Sequence, residues 1–153
     1  MKERKVYSKI LVPIDGSPPS AAGLAEAIRL AKSLGAALRL VHVLEDFKLV
    51  PGAEAIVYLS NTLDLLRESG TKVLAQAEAQ VRAAGLTPES AMCETMGGRA
   101  APLIVEEAKR WGADLIVIGT HGRRGMQRLI MGSDAEEIVR TTPVPVLLVR
   151  SQD

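Results

Sequence analysis

Cysteine is almost missing: Cys93 is the sole one in 153 residues. That excludes an internal disulfide and a cysteine-rich metal site. Aromatic side chains are scarce at 3%, which argues against a surface built for stacking bases. Neither charge sign is in excess. With 19 basic and 18 acidic residues the net charge is +1, so the electrostatic footprint of a nucleic-acid binder is absent. No apolar run approaches the ~18–20 residues of a membrane span. The opening segment, residues 1–7, is charged and leads straight into a strand pattern, unlike a signal peptide. Low-complexity tracts and internal repeats are also wanting. The expectation is a cytoplasmic chain, 47% hydrophobic, forming one domain over residues 1–153 with a sizeable core.

The apolar residues are arranged in short unbroken runs separated by helical stripes. Lys9-Ile10-Leu11-Val12-Pro13 is the first run, and Ile14-Asp15-Gly16-Ser17-Pro18-Pro19 ends it. Continuous runs of this length suit strands buried on both faces, as in a parallel sheet. Leu24, Ala27, Ile28, Ala31 and Leu34 then follow helical spacing, and Gly35 sits where a helix-terminating glycine belongs. Residues 38–43 read as a second strand and residues 44–53 as a loop. Leu59, Leu63, Leu66, Gly70, Val73, Ala77, Val81 and Ala84 form one long stripe in which Gly70 marks close packing, with Gly85 and Pro88 ending the helix. Residues 89–95 read as a third strand, and Ala101, Ile104, Ala108 and Trp111 as the next helical stripe. A fourth strand at 114–118, a short helix at 134–141 and a last strand at 145–150 complete the pattern. Strand and helix alternate throughout, which argues for a doubly wound parallel sheet with helices on both faces. Ligands of such sheets bind beyond the carboxyl ends of the strands, where strand order reverses.

The fourth strand leads into Gly119-Thr120-His121-Gly122, and nine residues later the chain reads Gly132-Ser133-Asp134. Glycine permits positive φ and close approach of a ligand to the backbone. A helix start offers unpaired N–H groups and the positive end of the dipole. Together they read as a phosphate site, and ATP is the ligand expected.

Simpler roles compete at each position. Ser133-Asp134-Ala135-Glu136 also reads as a capping box, with Ser133 as N-cap and Glu136 reaching back. Asp15 suits a ribose hydroxyl or adenine amino group, or equally an Asx-turn or helix cap. Arg123, Arg124 and Arg128 suit phosphate, or are a charged surface loop. His121 has no evident catalytic partner, His42 and Trp111 read as structural, and no residue is assigned a catalytic or metal-binding role. Pro145 demotes the last strand to a sheet edge. A bare apolar edge invites aggregation, and a second copy covering it through residues 144–150 would give a two-fold dimer.

The spacing Gly119-x2-Gly122-x9-Gly132-Ser133 resembles the glycine motif of the universal stress proteins, in their ATP-binding branch. The opening Lys9 to Ser17, Val41-His42-Val43 and the closing Pro143-Val144-Pro145-Val146-Leu147-Leu148-Val149 are similar to the same family. The resemblance implies a five-stranded sheet in the order 3-2-1-4-5 and a homodimer paired through the last strand. It implies ATP lying over the first and fourth strands, with magnesium or manganese as a candidate companion. Pro13, Asp15 and Val43 would then border adenine and ribose. Ile118, Gly119, Gly122, Gly132 and Ser133 would hold ribose and phosphates, with Arg123 and Asp134 beside them. The implied role is regulation in stress response, with weak or absent ATP hydrolysis. Asp134 departs from the apolar residue common after the Gly-Ser pair: a carboxylate there either repels phosphate or shares a metal with it. The competing functions are an interaction domain of the same fold without a nucleotide, and a slow ATPase.

Overall fold

The structure is a computed structural model. It describes residues 4–44, 53–95, 97–121 and 131–151, and of residues 53–60 the backbone alone. Five strands form one parallel sheet: β1 (Lys9–Pro13), β2 (Ala37–Leu44), β3 (Pro88–Glu94), β4 (Leu115–Thr120) and β5 (Val146–Arg150). Their order is β3-β2-β1-β4-β5. Four helices alternate with them: α1 (Pro18–Leu34), α2 (Ala53–Ala83), α3 (Ala100–Trp111) and α4 (Ser133–Thr141).

Unbroken apolar runs become strands here because both faces of the sheet are covered. Ile10, Val12, Leu38, Leu40, Leu115 and Val117 pack under α1 and α2. The intervening Leu11, Val41, Ile116 and Ile118 pack under α3 and α4. In β1 the residues Ile10, Leu11 and Val12 are all fully buried. Register is fixed along β1 by pairing Ile10 with Leu38 of β2 on one side and with Leu115 of β4 on the other. The strand order therefore reverses between β1 and β4, and their carboxyl ends diverge into a crevice.

Several expected boundaries move. Pro88 does not merely stop the long helix; it begins β3, as an edge strand allows. Gly85 does the stopping, with φ +86. The fourth strand runs on to Thr120, so Gly119 lies inside β4 rather than in a loop. The last strand begins at Val146, one residue after Pro145.

Two glycines set how closely helices lie on the sheet. A Cβ on Gly70 of α2 would stand 2.8 Å from Cδ2 of His42, so the close packing expected there is observed. Nδ1 of His42 lies 2.6 Å from the Ile14 carbonyl. A carbonyl only accepts, so that nitrogen carries the proton and His42 is a satisfied structural residue. On the other face, Glu107 of α3 is 3% exposed and pairs with Arg39 of β2 and with Arg110. Trp111 lies nearby with the Lys9 ammonium 5.2 Å and the Arg39 guanidinium 5.3 Å from its ring centre. It is half-buried against the α3 and α4 core rather than fully interior.

Candidate nucleotide cleft

A cleft of about 340 Å³ opens above the carboxyl ends of β1 and β4. Pro13, Asp15, Val43, Ile118, Gly119, Gly132, Ser133 and Asp134 all line it, so eight of the ten expected site residues are brought together. The other two, Gly122 and Arg123, lie outside the described residues, as do Arg124 and Arg128. His121 lines the cleft as well, and its ring has no acid or base partner among the described residues.

The wall made by β1 and α1 is closed to anions by its own hydrogen bonds. Ser17 is the N-cap of α1, and its Oγ accepts the Ser20 N–H at 3.3 Å. Pro18 and Pro19 occupy the first two helical positions and have no N–H to offer. The Asp15 N–H donates to Ser20 Oγ at 3.1 Å, while Asp15 Oδ1 accepts the Ser17 N–H at 2.8 Å. Asp15 therefore forms the Asx-turn while remaining an exposed residue of the cleft wall. The Asx-turn reading is thus observed.

The opposite wall is bare. Gly132, with φ −64, is the N-cap of α4, and among the described residues no side chain caps that helix. This corrects the capping-box reading of Ser133: the helix starts one residue earlier than that reading needs, so Ser133 is its first helical residue. The first intrahelical bond runs from the Glu136 N–H to the Gly132 carbonyl at 3.0 Å. The N–H groups of Ser133, Asp134 and Ala135 have no acceptor among the described residues. Unpaired N–H groups and the positive end of the helix dipole favour negative charge at such an N-terminus.

The two glycines that flank this wall differ in what requires them. Neither has positive φ. A Cβ on Gly119 would fall 1.6 Å from the Pro19 carbonyl oxygen, because α1 lies directly against β4. Gly23 of α1 is the matching gap, where a Cβ would meet the Gly119 nitrogen at 2.8 Å. Gly119 is thus demanded by packing, whatever binds above it. Around Gly132 a Cβ would meet nothing within 4 Å among the described residues. Its bareness keeps space open rather than relieving a clash.

The apolar part of the cleft comes from Ile14 of the β1–α1 turn, Val41 and Val43 of β2, Ile104 of α3 and Ile138 of α4. Sequence reading missed Ile104 and Ile138 as site residues, since a stripe at helical spacing points to core, and both do serve the core. It also missed Ser17 and Ser20; a serine directly before Pro-Pro was the available signal for an N-cap.

Comparison with known proteins agrees with this architecture. The universal stress protein family model matches residues 7–150. A universal stress protein of Methanocaldococcus jannaschii is 33% identical over 147 residues, 95% of this chain and 83% of that protein. Among solved structures, universal stress protein UspA of Lactobacillus plantarum superimposes with a TM-score of 0.79 at 26% identity, covering 94% of this chain and 98% of that one. A universal stress protein of Archaeoglobus fulgidus, solved in complex with dAMP, shares the fold with a TM-score of 0.64 at 21% identity, over 94% and 98% of the two chains. The chain belongs to the universal stress protein family.

Proposed function

We propose that this chain is an adenine-nucleotide-binding universal stress protein, taking ATP as its magnesium or manganese complex in the cleft between β1 and β4. The observation that carries the reading is the bare start of α4. Three N–H groups at Ser133, Asp134 and Ala135 open on a 340 Å³ cleft beside a glycine whose missing side chain leaves space for nothing the described protein supplies. Phosphate fits such a terminus by hydrogen bonding and by the helix dipole. The apolar side of the same cleft, from Ile14, Val41 and Val43, suits the faces of a base. A relative of the same fold is in complex with an adenine mononucleotide, which makes adenine the base to test first. Asp15, with one oxygen spare, is the candidate acceptor for a ribose hydroxyl.

The same reading includes a two-fold homodimer through residues 144–150, acting as a regulatory module in stress response. β5 is an outer strand of the sheet, and Leu147 in it is 36% exposed. Pairing with the β5 of a second copy would cover that edge. Among the described residues no helix is long and apolar enough to cross a membrane.

Isothermal titration with ATP and Mg²⁺ tests the proposal. Saturable binding is expected, and Gly132→Val is expected to abolish it, since a β-branched side chain occupies the phosphate's space. No heat at millimolar nucleotide would remove the reading. Native mass spectrometry of freshly purified protein reports subunit number and copurified nucleotide together.

A further inference from the structure

Asp134 is tied to the described fold only by its place in the first turn of α4, where a carboxylate suits the helix dipole. It is the second residue of α4, half-buried, and lines the cleft among the three open N–H groups. Its carboxylate has neither a hydrogen-bond nor an ion-pair partner among the described residues. Two described guanidinium groups that pair with α4 are engaged by its other carboxylates. Arg99, the N-cap of α3, lies 2.9 Å from Glu137, and Arg140 lies 3.4 Å from Glu136. Across the cleft stands a second carboxylate, Asp15. No lysine or arginine lines the described part of the cleft.

Three N–H donors and a helix dipole favour one anionic group, and their number does not grow with the ligand. The carboxylate repulsion does grow, because each further phosphoryl group brings more negative charge into the same space. We infer that Asp134 makes the cleft sort adenine nucleotides by the charge on their phosphate chain: AMP is held more tightly than metal-free ATP, and Mg²⁺ closes the gap. Magnesium reverses the sign because it is held by one or two carboxylates together with substrate phosphate oxygens. The inference rests on the cleft being a nucleotide site and adds to it the residue that sets phosphate specificity. A substitution confined to position 134 leaves every other charge of the chain the same in parent and variant. The ratio of affinities, compared between the two proteins, therefore isolates Asp134.

The test titrates AMP and ATP, each in chelator and in Mg²⁺, into the full chain and into Asp134→Asn. Asp134→Ala serves as a second variant, and melting curves show that each keeps the fold. In chelator the parent protein is expected to bind AMP at least about tenfold more tightly than ATP, a difference of ~1.4 kcal/mol. In both variants that preference should shrink to about threefold or less, with ATP gaining most. In Mg²⁺ the parent should recover ATP binding, and the variants should gain less. Metal-free ATP binding as tightly as AMP to the parent would overturn the inference, as would an unchanged ratio in both variants. Failure of every nucleotide to bind would instead strike the reading of the cleft itself.

Discussion

Two helices start at the same cleft and present it with opposite chemistry. At α1 the N–H groups that a helix start leaves over are either absent, in Pro18 and Pro19, or taken, since Ser20 donates to the Ser17 cap. At α4 the N-cap is a glycine with nothing to offer, and the N–H groups of Ser133 to Ala135 are unspoken for among the described residues. A helix N-terminus is thus not an anion site by virtue of being one. Only an uncapped start leaves its N–H groups to a ligand. The glycines repeat the contrast: Gly119 is required by the Pro19 carbonyl against it, Gly132 by no described atom.

The largest effect should come from filling the gap that packing requires. Gly119→Ala places a Cβ 1.6 Å from backbone oxygen, and backbone has no rotamer by which to yield. It should cost more than about 3 kcal/mol, a fall in melting temperature of roughly 10 °C for a chain of this size. Gly132→Val should cost about 1 kcal/mol or less, the difference between glycine and a poor N-cap, while removing nucleotide binding. If the two variants melted alike, the distinction between a packing glycine and a ligand glycine would be lost.

A smaller effect sharpens the same comparison at the serines. Ser17→Ala removes a working cap and should cost about 1 kcal/mol by denaturant unfolding. Ser133→Ala removes none and should stay within about 0.5 kcal/mol. Equal losses would restore the capping-box reading of Ser133.

Much of this was legible in the sequence, and the failures have separate causes. Runs such as Ile10-Leu11-Val12 announce strands buried on both faces, and they placed β1, β2 and β4 nearly to the residue. The crossing point between β1 and β4 followed from alternation and from the family resemblance together. The contact that makes Gly119 a strand residue was invisible, because Pro19 is 100 positions away and only the fold brings its carbonyl to β4. The capping box failed for a local reason. Serine, aspartate and glutamate at the right spacing fit the pattern, yet glycine at 132 adopts the extended N-cap geometry and moves the helix start. Ile104 and Ile138 were unreadable as site residues since the same side chains finish the core and floor the cleft.

The smallest predicted effect lies away from the cleft, where α2 meets the end of β3. Arg67 donates to both oxygens of Glu94, at 2.5 and 2.9 Å. That hydrogen bonding holds the Glu94 carboxyl below the ordinary glutamate value of 4.5. A carboxyl lowered in the folded state adds stability above its unfolded pKa and loses it as pH falls through the folded value. Glu94→Gln should therefore melt slightly below the parent at pH 7 and converge with it in acid. The gap should also narrow in high salt, since both groups face solvent. A gap that widened in acid would contradict the assignment.

On the proposed function, α4's bare start receives phosphate and α1's closed start does not. Amide chemical shifts read this directly. On addition of AMP, or of ATP with Mg²⁺, the ¹⁵N–¹H signals of Ser133, Asp134 and Ala135 should move with saturating dose dependence, while that of Ser20, already bonded to Ser17, should move much less. Signals at 133–135 that stay fixed while nucleotide binds would contradict it.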